Sequence, residues 1–152
     1  MPKKLSSIVA VFILLSTAPP SFADDHGFLK KALDTIQVLE SQARTAAEER
    51  KFTRTCQSLP RFVHKERFRI DSSSIELIVS ALESSENAYA RTWLALATAS
   101  AGIRAKPWLP RLRTTARKLE AQYEKLPWDQ QPQGNSDLSF VNRAIKTIEN
   151  RG

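Results

Sequence analysis

Residues 71–112 read DSSSIELIVSALESSENAYARTWLALATASAGIRAKPWLPRL, and their spacing decides the fold class. Asp71-Ser72-Ser73-Ser74 is a helix start, because these side chains accept hydrogen bonds from the free amides of a first turn. Ser73 followed by Glu76 predicts a capping box. Ile75, Leu77, Ile78, Ala81 and Leu82 then recur at helical intervals, and the helix should end near Ser84-Ser85. Ser85-Glu86-Asn87 reads as a short turn. A second helix is expected from about Ala88 to Ala101, rich in alanines that let neighbouring helices approach closely. Gly102 closes it as a C-terminal cap. Pro107 and Pro110 suit the first turn of a third helix, where a missing N–H costs nothing.

The same spacing extends outward in both directions. Leu112, Ala116, Leu119 and Tyr123 carry the third helix to about Leu126, where Pro127 stops it. Trp128 to Asn135 reads as a polar loop, and Ser136-Asp137 caps a last helix bearing Leu138, Val141, Ile145 and Ile148. Toward the N-terminus, Leu29, Leu33, Ile36, Leu39 or Val38, Ala43 and Ala47 predict one long amphipathic helix from Phe28 to about Lys51. The segment from Thr53 to Asp71 is less regular, with Pro60 as an interruption. Four glycines among 152 residues are too few for a turn-rich β-protein. The chain should be all-α.

Met1 to Ala23 reads as a secretory leader. Lys3 and Lys4 precede an unbroken apolar run of 8 residues, Ile8 to Leu15, and small residues at Ser21 and Ala23 suit a signal peptidase. The run is far short of the roughly 20 residues needed to span a bilayer, so no membrane span is expected. Cleavage near Ala23 removes two lysines and no acid, lowering the net charge from +7 to +5. The expected location is periplasmic or secreted. The expected domain is residues 24–152, with 24–71 as an N-terminal helical cap and 72–152 as helical hairpins.

The stretch Ser74–Leu112 resembles a HEAT-like repeat of the bacterial type, in its later part above all. That pattern has a Val-Arg pair opening an Ala-rich helix that ends Ala-Leu-Gly-x-Ile-Gly, then Ala-x-Pro-x-x-Pro-x-Leu. Ala90-Arg91 stands in the first place, and Ala97 to Gly102 in the second. Ala105, Pro107, Pro110 and Leu112 match the last part residue by residue. Thr98, Ala99 and Ala101 depart from the pattern. The resemblance implies a short array of α-hairpins, which the long first helix would cap, because one hairpin cannot bury its apolar face alone. It implies no particular target, since fold does not define function.

Chemistry is sparse. Two histidines and one cysteine offer no metal-ligand spacing, and no phosphate loop exists among so few glycines, so neither a cofactor nor catalysis is expected. Cys56 lacks an internal disulfide partner and reads as a small buried residue. Cys56 with His64, eight positions apart, is the outlying nucleophile–base pair. Arg61, Lys65, Arg67 and Arg69, set among Phe62, Val63 and Phe68, can meet nucleic acid or an acidic protein surface. The plainer expectation is aromatics plugging a core edge beneath solvated arginines. Export argues against nucleic acid.

Arg104, Lys106, Trp108, Arg111 and Arg113 cluster around the turn between repeat helices, a basic patch with an aromatic rim. Trp and Arg dominate interface hot spots, so these five are the candidate partner-binding residues. Trp93 is assigned to the core. The expected function is non-catalytic binding of another protein with an acidic surface. A periplasmic immunity protein blocking a secreted cell-wall-degrading effector is the alternative. The open end of a short array would also let two copies of the chain meet as a homodimer.

Overall fold

The computed structural model describes residues 22–134 and 136–151, with side chains from His26 onward, so most of the expected leader lies outside the described residues. Six α-helices follow in order: α1 (Phe22–Glu40), α2 (Ala46–Glu66), α3 (Ser72–Ser84), α4 (Ala88–Ser100), α5 (Leu109–Tyr123) and α6 (Asp137–Glu149). A 3-10 turn, Gly102–Trp108, joins α4 to α5. No strand occurs among the described residues, and no helix there is long and apolar enough to cross a membrane.

The single helix expected over Phe28–Lys51 is two helices. The break at Ser41–Thr45 has a local cause. Thr45 and Glu48 form a reciprocal capping box, Glu48 N donating to Thr45 Oγ1 at 3.3 Å and Thr45 N to Glu48 Oε2 at 2.8 Å. Arg44 closes the end of α1 by donating Nη1 to the Leu39 carbonyl at 2.8 Å, while its guanidinium lies 4.2 Å from the centroid of the Phe52 ring. Leu29, Leu33, Ile36 and Leu39 are buried as the spacing requires, but Val38, Ala43 and Ala47 are exposed. The two alanines mimicked a continuing apolar face.

The segment beyond Thr53 is regular after all, because α2 runs straight through Pro60. A mid-helix proline removes one hydrogen bond and crowds the preceding turn. Four fully buried side chains on one face, Phe52, Cys56, Leu59 and Val63, offset that cost. At α3 the expected Ser73–Glu76 box is replaced. Asp71 is the N-cap, accepting from Ser74 N at 2.7 Å, and Glu76 points away to other partners. Asn87 caps α4, Ser136 caps α6 as expected, and Gly102 ends α4 with a φ of 60°. The third helix begins later and ends earlier than its spacing suggests, since the prolines are shared between the 3-10 turn and α5.

The six helices pair as hairpins α1–α2, α3–α4 and α5–α6, stacked in that order. The even-numbered helices form one layer with α4 in the middle, packed against both α2 and α6; α3 likewise lies between α1 and α5. Residues 22–66 therefore form a hairpin of the same kind as the other two. Ala90, Ala95 and Ala97 are fully buried on α4, which explains the alanine-rich composition: a helix with neighbours on three sides has no room for larger side chains there. The core is continuous from Leu29 to Ile148.

Two ends of the array are distinguishable. One holds the starts of α1 and α3, where His26 Nδ1 lies 3.2 Å from Ser74 Oγ, together with the ends of α2, α4 and α6. At the other, Ser85 Oγ donates to Glu40 Oε2 at 2.6 Å beside the starts of α4 and α6.

Candidate functional site

Arg104, Lys106, Trp108 and Arg111 lie along the 3-10 turn and the start of α5 beside α3, Arg113 faces α6, and four of the five are engaged within the chain. Arg111 donates Nε and Nη2 to Glu83 at 2.9 and 2.5 Å, Nη2 to Ser80 Oγ at 3.1 Å, and Nη1 to Glu76. Trp108 Nε1 donates to the other Glu76 oxygen at 2.5 Å. The Arg111 guanidinium and the Trp108 indole hold the Glu76 carboxyl below its usual range, and the two carboxylates raise the Arg111 guanidinium. Arg113 pairs with Glu149 at 2.6 Å. Arg104 reaches across to the carbonyls of Ile70 and Phe68, both at 2.8 Å. Lys106 is half-buried with no ion pair among the described residues.

Arg111 and Trp108 thus fasten α5 and the 3-10 turn onto α3. The acids that neutralise the patch, Glu76 and Glu83, sit about 28 to 35 positions earlier in sequence, on a neighbouring helix. Net charge by segment cannot reveal such pairing.

Unmatched positive charge concentrates elsewhere. Arg50, Arg54, Arg61 and Lys65 are all exposed on α2, and none has an ion-pair partner among the described residues. At 100° per residue the four fall within a narrow arc opposite Phe52, Cys56, Leu59 and Val63. They mark a cationic strip roughly 22 Å long, from 1.5 Å of rise per residue. The acids near the start of α2 are occupied, Glu48 in the capping box and Glu49 with Arg44. Sequence reasoning found only the second half of this strip, because reading Pro60 as a break severed it from Arg50 and Arg54.

The aromatic residues of that segment divide. Phe62 packs on the core edge with its ring 4.7 Å from that of Phe28, as expected. Phe68 does not: it is 74% exposed beside Arg67, whose guanidinium lies 4.6 Å from the ring centroid. Trp93 is half-buried against the core and 6.1 Å from Tyr89.

Cys56 is fully buried, and burial foremost pushes its thiol up from 9.0 to about 12, with Glu40 adding to the shift. His64 is exposed. Eight residues of helix separate the two by about 12 Å of rise, so the structure does not bring them together as nucleophile and base.

One polar cluster is largely buried, with Asp137 at its centre. Arg91 donates Nε to Asp137 Oδ2 at 2.5 Å and Nη1 to the Ser85 carbonyl at 2.8 Å, and Tyr123 Oη donates to Asp137 Oδ1. Burial works against the Arg91 charge, but the hydrogen bond and charge of Asp137 outweigh it and leave the guanidinium raised. Burial and the Asp137 contact raise the Tyr123 phenol. Arg91 also floors an open cleft of about 680 Å³ walled by Glu83 and Glu86 on one side and Lys118 and Lys125 on the other. The cluster joins α4, α5 and α6, and through Arg91 it also holds the Ser85 carbonyl of the α3–α4 turn.

No family model matches the sequence, and no curated protein or solved structure shows significant similarity to it.

Proposed function

We propose that this chain is an exported, non-catalytic array of HEAT-like helical hairpins that binds another protein with an acidic surface. The observation that carries the reading is the cationic strip of α2, whose four charges are left uncompensated while the guanidinia of Arg111 and Arg113 are matched within the fold. A rigid row of cations on one helix steers an acidic partner and fixes its orientation. Lys106 and the charge of Arg104 extend the positive surface around the 3-10 turn. Removal of residues 1–23 would release the array into the periplasm or beyond.

The test is affinity capture from periplasmic extract with residues 24–152 as bait, at low and high salt, beside the variant Arg50→Glu/Arg54→Glu. The expected result is a single partner that is lost at high salt and lost with the variant, while the circular dichroism spectrum is unchanged. A cell-wall hydrolase as that partner would make the protein its inhibitor, an immunity function. A partner retained by the variant, or none captured at either salt, overturns the reading.

A further inference from the structure

The end of the array where α2, α4 and α6 finish carries a second surface of different character. Phe68 and Ile103, 74% and 57% exposed, line one shallow pit of about 210 Å³ with Gly102, Arg67, Arg104 and Arg151. Large apolar side chains set together in water are uncommon unless something covers them. The rim is what identifies the cover. Arg67 contacts the ring and carbonyl of His64, Arg104 contacts two backbone carbonyls, and Arg151 lies over Gly102. None of the three has an ion pair among the described residues, unlike Arg44, Arg91, Arg111 and Arg113. Arg69 adds a further exposed cation beside Phe68. Apolar side chains ringed by uncompensated guanidinia match the layered chemistry of an anionic bilayer surface, with acyl chains beneath phosphates.

We propose that this end docks on anionic phospholipid, with Phe68 and Ile103 entering the headgroup–acyl boundary and Arg67, Arg104 and Arg151 meeting phosphates. The opposite end also exposes a tryptophan, Trp128, but Asp129 is its immediate neighbour and Lys125 the one cation within three residues of it in sequence.

The experiment is flotation of residues 24–152 with vesicles of phosphatidylglycerol or of phosphatidylcholine at 0.15 M salt. Every core residue lies between Leu29 and Ile148, so this segment contains the entire core. Binding is expected to the anionic vesicles alone. Phe68→Ala should weaken it about tenfold, and Arg67→Gln or Arg151→Gln about fivefold each. Both apolar side chains are exposed, so their variants should fold, which circular dichroism checks. Arg50→Glu/Arg54→Glu should bind vesicles within about twofold of the parent, since Arg54 stands roughly 20 Å from Phe68, beyond two Debye lengths. Conversely, Phe68→Ala should leave capture of the acidic protein partner intact, so the two surfaces fail or succeed separately. Equal binding to both lipids, no binding to phosphatidylglycerol, or full binding by Phe68→Ala/Ile103→Ala overturns the proposal.

Discussion

Separating Arg91 from Asp137 should be among the costly single changes in this fold. Their side chains are 11% and 1% exposed, and each closes hydrogen bonds that the other cannot replace. Asp137→Ala strands a buried guanidinium and takes the acceptor from Tyr123 Oη; Arg91→Met strands a buried carboxylate and frees the Ser85 carbonyl. Breaking one side of such a pair costs about 3–5 kcal/mol, a large part of the roughly 5–15 kcal/mol that holds a domain together. For a chain of this length about 3 kcal/mol lowers Tm by on the order of 10 °C. The double variant loses both charges at once, so its cost should fall at least about 2 kcal/mol below the sum of the two single costs. Urea unfolding followed by far-UV circular dichroism measures all three against the parent, provided the m-values agree. Additive costs, within about 0.5 kcal/mol, would refute the claim that the two groups act as one buried unit.

Two further outcomes follow from the described geometry. Because the folded Cys56 thiol is raised from 9.0 to about 12, the unfolded chain releases that proton first as pH rises, so stability should be complete below pH 9 and decline toward pH 12. The decline attributable to this thiol is about 1.4 kcal/mol per pH unit and should vanish in Cys56→Ala, which stability curves between pH 8 and pH 11 would compare. Gly102 sits at a φ of 60°, and an added Cβ would meet only the Arg151 side chain at an ordinary 3.6 Å. The cost of Gly102→Ala is then conformational, about 1–2 kcal/mol by thermal unfolding; an unchanged Tm would show that α4 can end without the left-handed turn.

The all-helical fold was legible because apolar spacing and helix caps are local properties. Ser136, Gly102 and the apolar positions of α3, α4 and α6 could be placed from neighbours a few residues away. The first hairpin was not legible for the same reason inverted: Ala43 and Ala47 continued a stripe that has nothing to pack against, and Pro60 broke a helix whose cost is met by partners on α1 and α4. Thr45 and Glu48 did carry the signal, a capping box in the middle of an apparently unbroken helix. At the candidate site the residue types were found, but not their employment. Arg111 looked free because Glu76 and Glu83 are remote in sequence, whereas Arg50 and Arg54, which have no ion-pair partner among the described residues, were passed over. Phe68 looked like a core plug because exposure depends on where a loop turns, which composition does not record.

The buried pairing of Arg91 with Asp137 also sets an order of events. A chain made from its N-terminus lays down α1 to α4 first, and these can associate while α5 and α6 are still missing. In that interval Arg91 has no counter-charge, and the side of α4 that will pack on α6 lies bare. The clasp arrives 46 positions after the residue it closes upon. Completion therefore depends on the last stretch of the chain: a product cut short anywhere before Asp137 would leave one side of α4 open to water and Arg91 without its counter-charge.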